Sequence, residues 1–254
     1  MSSFFSYVGG ATATPAATGT PPDEVASAST LVVWARDAGI VNVTGSGIAS
    51  VTDESIVSSG TVWTQFNGPS VSSGFQNSRD AMFFDGSNDG LTRGLAYIKG
   101  TDPAVSIIGV VHPTSTQAGV IWGEALNSQN FHSQVFCYSQ DSSLYYFKRN
   151  DDSSTQRQII VPWDAPGTTR MFSILDDGTN CQIWVDGTEA TVSPSGTTVG
   201  SLNNSSRMGI GCRRRLTTDI FYPGGILEVI VFDGIITDGE RQDIEAYLTD
   251  RWAL

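Results

Sequence analysis

The sequence predicts an all-β fold: a two-sheet antiparallel sandwich with an extended N-terminal arm and one C-terminal amphipathic helix. Three observations predict it. Short runs rich in Val, Ile, Thr and aromatic residues recur from Thr30 onward, separated by turn signals such as Asp177-Gly178 and Asp186-Gly187. Glycine is abundant, 27 of 254 residues, and Trp 6, Phe 12 and Tyr 7 can fill a large sandwich core. A convincing helical period appears once, after Thr237. No internal repeat or second apolar core is evident, so the chain reads as an arm, residues 1–30, and a sandwich, residues 31–254.

The arm is small, polar and punctuated by Pro15, Pro21 and Pro22, with no periodicity. Such composition cannot bury enough area to offset ordering entropy by itself. Phe4, Phe5, Tyr7 and Val8 are its candidate anchors, either along its own sandwich or on a neighbouring subunit. Strands are then expected at 31–36, 62–66, 81–85, 104–112, 118–123, 132–138, 143–149, 157–161, 169–175, 181–186, 207–212 and 225–233. The run 105–111 is almost continuously apolar and reads as central, whereas 181–186 alternates and reads as wet on one face. Residues 41–60 are rich in Ser, Gly and Thr, with Asp53 and Glu54 the charges, and read as a surface excursion too polar for core. The last strand feeds a helix opened by a Thr237-x-x-Glu240 capping box, with Ile244, Tyr247, Leu248 and Trp252 on one stripe.

A net charge of −12 argues against nucleic acid as a partner, because phosphate neutralisation needs a basic surface. Arg213-Arg214-Arg215 is the one basic cluster in the sequence; it reads as a solvated, salt-bridged patch, with phosphate or sulfate binding as the alternative. No stretch approaches the roughly 20 apolar residues of a membrane span, so no membrane partner is expected. Residues 1–7 lack a basic segment and an apolar core, so no signal peptide is expected either. Cys137, Cys181 and Cys212 are odd in number and widely spaced, and each lies in an apolar alternating segment. They read as reduced structural thiols, and with two histidines a zinc site is not expected.

Several segments, taken in order, share a pattern. They are Leu31-Val32-Val33-Trp34-Ala35-Arg36-Asp37, Val62-Trp63-Thr64-Gln65-Phe66, and Phe83-Phe84-Asp85-Gly86-Ser87-Asn88-Asp89-Gly90-Leu91. Then come Ile107 to Pro113, Ile183-Trp184-Val185-Asp186-Gly187, Met208-Gly209-Ile210-Gly211, and Gly225 to Asp233 followed by Ile236-Thr237, the helix and Arg251-Trp252. This ordered set resembles the concanavalin A-like lectin/glucanase superfamily, in its laminin-G-like branch as found in tailed-phage virion proteins and bacterial surface proteins. The resemblance covers about residues 31–254 and implies a jelly-roll sandwich of two curved sheets. It implies a non-enzymatic virion surface protein, a capsid decoration or a head or tail appendage, assembled in the host cytoplasm. Attachment through the arm, self-association, other virion proteins as partners and surface polysaccharide as a ligand go with that reading. The alternatives are a carbohydrate-binding module of a bacterial surface protein and a glycoside hydrolase or lyase.

Hydrolysis on this fold needs two carboxylates about 5–5.5 Å apart for retention or about 6.5–9.5 Å for inversion. The Glu-x-Asp-x-x-Glu string of the glucanase branch does not occur, and Glu228 and Asp233, five apart, face opposite ways on a regular strand. Glu228 therefore reads as a buried structural residue paired with Arg207 or Arg36, and no catalytic residue is expected. Asp85, Ser87 and Asp89 offer oxygens at alternate positions, so either a calcium loop or an Asx-stabilised turn fits them; position twelve is Ala96, which excludes an EF-hand. No cofactor beyond that calcium is expected. His112 and His132 stand near no nucleophile motif and read as ordinary strand residues. Trp122, Phe131, Tyr138, Tyr145 and Tyr146 are the candidates for stacking on a sugar, with core packing as the alternative role for each. Tyr145 and Tyr146 are adjacent, so one faces out and the other in.

Overall fold

A computed structural model describes residues 30–44, 47–55, 61–125, 134–150, 155–163, 166–192, 198–203, 205–214 and 218–254. The strands in chain order are β1 (Leu31–Arg36), β2 (Ile40–Thr44), β3 (Gly47–Thr52), β4 (Val62–Phe66), β5 (Ser70–Gln76), β6 (Arg79–Asp85) and β7 (Gly90–Arg93). There follow β8 (Val105–Pro113), β9 (Gly119–Ala125), β10 (Gln134–Gln140), β11 (Ser143–Arg149), β12 (Gln156–Pro162) and β13 (Arg170–Asp176). The last are β14 (Cys181–Val185), β15 (Thr188–Glu189), β16 (Arg207–Ile210), β17 (Arg213–Arg214), β18 (Thr218–Asp219) and β19 (Pro223–Phe232), closed by helix α1 (Asp238–Trp252). The arm anchors Phe4, Phe5, Tyr7 and Val8 lie outside the described residues, as do Phe131, His132 and Arg215.

The pairings, all antiparallel, trace two layers. One runs β2-β3-β4-β7-β16-β9-β10-β11-β12. The other runs β15-β14-β13-β8-β19, where β19 pairs with β1 along its second half and with β6, and through it β5, along its first. A single pair, Gly47 with Ser70, stitches the layers together. Between them lies the main core, in which Trp63, Leu91, Ile121 and Tyr146 of the first layer meet Val33, Ile107, Phe172 and Val229 of the second.

The second layer is covered on both faces, which explains the continuous apolar runs of β8 and β19. Ile108, Val110, Trp184 and Ile230 point away from the main core and pack under α1 against Ile244, Tyr247, Leu248 and Trp252. The helix is held at its start by Thr237 Oγ1, which accepts from the Glu240 N–H at 3.2 Å, while Glu240 Oε2 accepts from the Thr237 N–H at 2.7 Å. No helix among the described residues is long and apolar enough to cross a membrane.

Two segments correct the sequence reading. Within 41–60, strands β2 and β3 form a hairpin, and Ile48 and Val51 are fully buried in the core. Asp53, taken for a surface charge, is fully buried. It accepts from the Trp34 and Ser55 backbone N–H groups at 3.0 and 2.9 Å, from Trp63 Nε1 at 3.1 Å and from Arg93 at 2.9 Å. A carboxylate so satisfied can occupy a core that composition alone would deny it. Residues 70–76 and 90–93, left unassigned from the sequence, are strands β5 and β7.

Candidate ligand-binding site

The first layer's outward face carries the site. On β10, Val135 and Cys137 point into the core while Phe136, Tyr138 and Gln140 point out; on β11 the inward residues are Leu144, Tyr146 and Lys148. The outward residues of β11 are Tyr145, Phe147 and Arg149, and the register sets Phe136 opposite Phe147 and Tyr138 opposite Tyr145. The two cross-strand pairs stack, with ring centroids 4.8 and 4.5 Å apart and interplanar angles of 27° and 23°. Phe136 and Tyr138 add a tilted contact at 5.4 Å, so four rings form one platform. Cross-strand aromatic pairs of this kind stabilise a sheet face. Phe136 is itself buried, at 6% exposure, so the ring surface left to solvent is that of Tyr138, Tyr145 and Phe147.

Polar groups rim the platform. Gln158 of β12 donates to the Tyr138 hydroxyl at 3.2 Å, and the Arg149 guanidinium lies 5.2 Å from the Phe147 ring centre and donates to Gln156. On the other side the β17–β18 hairpin folds back over β9, and Arg213 sits 6.0 Å from the Phe136 ring centre. Arg213 is held by Asp219 through two bonds of 2.8 and 3.0 Å. Gly123, opposite Phe136 in the register, leaves room for that ring, since a Cβ there would collide with the Phe136 side chain. The result is a groove of about 400 Å³ lined by Ala118, Phe136, Tyr138, Gln140, Phe147, Arg149, Gln158, Arg213 and Ile220. That volume falls in the usual range for small-ligand sites. Ile220 is held at φ +50°, costly for a β-branched residue, with its carbonyl accepting from the Val120 N–H at 3.2 Å.

The sequence candidates divide by strand parity. Tyr138 and Tyr145 are on the platform, whereas Trp122 and Tyr146 have no exposed surface. Tyr146 instead donates to Asp176 Oδ2 at 2.7 Å inside the core, so neither buried ring can stack on a ligand. Phe136 and Phe147 were missed. Their signal was present in the alternation Phe136-x-Tyr138 and Tyr145-x-Phe147-x-Arg149, which a period of two places on one face.

The loop at Asp85 is an Asx turn. Asp85 Oδ1 accepts from the N–H groups of Ser87, Asn88 and Asp89 at 2.7, 3.0 and 3.3 Å, and Asp89 Oδ2 accepts from the Asp85 N–H at 3.1 Å. Burial opposes ionisation of Asp85, but the backbone donors outweigh it and hold its pKa below the ordinary value. Among the described residues no group of three or more His, Cys, Asp or Glu side chains is arranged to hold a metal ion.

Glu228 is fully buried beneath α1. A register shift between Ile226 and Glu228 inserts Leu227, so Glu228 is turned to the helix side while Ile226 and Val229 keep the core side. Its oxygens accept from Trp34 Nε1 at 2.7 Å, the Tyr247 hydroxyl at 3.1 Å and Trp252 Nε1 at 3.0 Å. Arg251 Nε forms an ion pair with it at 3.0 Å without hydrogen-bond alignment. Burial raises its pKa, opposed by Arg251 and the indole donors. The two expected partners divide. Arg207 lies on β16 in the other layer, whereas Arg36 stands opposite Glu228 in the β1–β19 register, favours its charge, and donates at 2.9 Å to the Tyr247 hydroxyl that also bonds Glu228. The ion pair itself is made by Arg251. His112 is half-buried against Phe75, 5.0 Å between ring centres.

A second depression, about 420 Å³ beside the start of α1, is lined by Asp177, Asn180, Trp184, Asp238 and Arg241 among others. Its indole is already covered by the Arg241 guanidinium 4.1 Å from the ring centre, so it offers no free stacking face. The platform groove is the better candidate.

No protein-family model matches the sequence, and no curated protein matches it. Among solved structures the chain is similar to the binding domain of Paraclostridial Mosquitocidal Protein 1, at 9% identity and TM-score 0.57, covering 87% of this chain and 52% of that one. It is similar to NanB sialidase from Streptococcus pneumoniae at 11% identity and TM-score 0.50, covering 63% of this chain and 26% of that one. The CBM40 domain of the Ruminococcus gnavus IT-sialidase, solved with α2,3-sialyllactose, follows at 14% identity and TM-score 0.49, covering 57% and 81%. The chain thus spans about half of the toxin domain structure and about a quarter of the sialidase. The first two likenesses agree with the β-sandwich fold and speak to the fold alone.

Proposed function

We propose that the chain is a non-catalytic saccharide-binding module of the concanavalin A-like type, with its ligand lying along the β10–β12 platform. The observation that carries this reading is the pair of stacked aromatic couples, Phe136–Phe147 and Tyr138–Tyr145, on a sheet face rimmed by Gln140, Gln158, Arg149 and Arg213. Flat apolar rings match the C–H faces of sugars, and amide and guanidinium groups match their hydroxyls. The described lining holds no carboxylate, which favours binding over hydrolysis, a reaction needing two. The finer assignment rests on the sequence resemblance: a virion surface protein of a tailed phage, attached through residues 1–30 and presenting this groove to cell-surface polysaccharide.

A glycan array probed with the wild-type protein and a Tyr138→Ala/Tyr145→Ala variant tests the binding reading. Saccharide signals that the variant loses at unchanged thermal stability are the expected result; equal signals for both proteins contradict it. Finding the chain by mass spectrometry in purified particles tests the virion assignment separately.

A further inference from the structure

We propose that Lys148 and Asp102 condense inside the folded chain into an intramolecular amide bond, a covalent cross-link between the two layers. The proposal is independent of the saccharide groove and uses the inward face of β11.

Lysine is seldom buried completely, yet Lys148 has no exposed surface, and neither has Asp176 beside it. Lys148 Nζ lies 2.6 Å from Asp102 Oδ1 and 3.3 Å from Asp176 Oδ2, and donates to the Pro103 carbonyl at 2.6 Å. The approach to Asp102 Oδ1 lacks hydrogen-bond alignment, and that buried oxygen has no hydrogen-bond donor among the described residues. Both reacting groups are held in place. The Asp102 backbone N–H donates to the Gly200 carbonyl at 2.7 Å, and its Oδ2 accepts from the Val199 N–H at 2.8 Å. Its φ of +44° is one that few non-glycine residues adopt. Lys148 is carried by β11, which pairs along its whole length with β10 and β12. Amine and carboxyl thus meet at the high effective concentration of a well-oriented intramolecular reaction.

The ion pair is the reactant, and burial favours the product. Two ions taken out of water remain costly even when paired, whereas condensation leaves a neutral amide and expels one water. Asp176 Oδ2 takes a proton from the Lys148 ammonium, and the freed lone pair attacks Asp102 Cγ. The N–Cγ bond forms and the Cγ–Oδ1 bond breaks. Oδ1 leaves as water with two protons that come from Nζ by way of Asp176. Charge developing on Oδ2 meets the Val199 N–H and the Arg157 guanidinium, 3.5 Å away. Arg157 at 2.5 Å from Oδ1 and the Tyr146 hydroxyl at 2.7 Å from Oδ2 orient the Asp176 carboxylate. No oxidant or other co-reactant enters. The bond ties β11 to the segment just ahead of β8 in the opposite layer, so the layers cannot part completely.

Mass spectrometry of the denatured wild-type chain, intact and after proteolysis, tests this. The expected result is a mass lower than that of the sequence by one water, with one branched peptide joining the segments that hold Asp102 and Lys148. Asp102→Ala and Lys148→Arg are expected to show the full mass and to migrate more slowly than wild type in boiled detergent gels. Asp102→Asn is expected to form the same bond with loss of ammonia. Asp176→Asn is expected to lower the cross-linked fraction of freshly made, folded protein roughly tenfold or more, and Asp176→Glu to restore it in part. A full wild-type mass, with the two segments recovered as separate linear peptides, overturns the proposal and leaves a buried ion-pair network. Water lost from a linear peptide, such as a ring closed at Asp177-Gly178, overturns it as well, and so does a branch at Asp176.

Discussion

Tyr145 and Tyr146 are neighbours in sequence and have opposite duties. Tyr145 stacks on Tyr138 at the surface, and Tyr146 bonds Asp176 in the core. Tyr146→Phe is therefore expected to cost about 1–3 kcal/mol in urea unfolding, because it strips a donor from a buried carboxylate, while saccharide affinity stays unchanged. Tyr145→Ala should do the reverse. That one of the pair faces inward was legible in the sequence, but which one was not, because parity is fixed only by the register with β10. The partner of Glu228 was illegible for a related reason: a bulge decides its face, and Arg251 reaches it only once α1 has docked. Glu228→Ala leaves two indoles, a hydroxyl and a buried cation without their acceptor, and is expected to cost about 3–5 kcal/mol. Glu124 supplies a pH prediction. Burial pushes its pKa up to about 7 from 4.5, against the Tyr97 and Ile98 N–H groups that bond its two oxygens at 2.9 and 3.0 Å. The folded state therefore holds this proton more tightly than the unfolded chain. Its stabilising contribution is complete below pH 4.5 and is lost as pH rises through about 7, a change of about 3 kcal/mol. In thermal melts across that window, Glu124→Gln should flatten the wild-type decline; an identical decline in both proteins contradicts the assignment.

Among the elements, α1 was the most legible because its signals are local: a capping box, then a stripe at helical spacing. Thr237→Ala removes the acceptor for the Glu240 N–H and is expected to cost about 1 kcal/mol, seen as faster amide exchange in the first turn of the helix. Strands β2 and β3 were the least legible. Their Ser, Gly and Thr residues signal a loop, and the burial of Asp53 just after β3 depends on Trp63 and Arg93, which arrive from β4 and β7 to satisfy it. Long-range satisfaction of a buried carboxylate leaves no mark in local composition. Strand β11 carries both functions of its layer. Its outward side chains build the platform, and its inward Lys148 reaches Asp102 Oδ1 at 2.6 Å and Asp176 Oδ2 at 3.3 Å. Arg157 of β12 pairs with Asp176 Oδ1 at 2.5 Å, so the platform strands are tied to the end of β13 in the opposite layer. Asp176→Ala leaves two buried cations short of their partner, and a loss of about 3–5 kcal/mol is expected in chemical denaturation.

At the scale of the molecule, the sandwich assigns its faces by exclusion. The inner faces of both layers form the core, and the outer face of the second layer is covered by α1. On the outer face of the first layer, among the described residues, the aromatic couples and arginines converge, and this is the face proposed for the ligand. The all-β class and the closing helix were readable from composition and periodicity, and the sequence resemblance pointed to the same sandwich. The strand order was not readable, since pairings such as β16 with β7 and β9 join segments far apart in the chain. The central claim, that this face binds saccharide, is tested most directly by backbone amide chemical shifts recorded while the glycan selected on the array is added. The account predicts perturbations concentrated in β10, β11 and β12 and at Arg213 and Arg214, abolished by Tyr138→Ala/Tyr145→Ala. Perturbations centred on the depression beside α1 at Trp184 and Arg241, or none at saturating glycan, would contradict it.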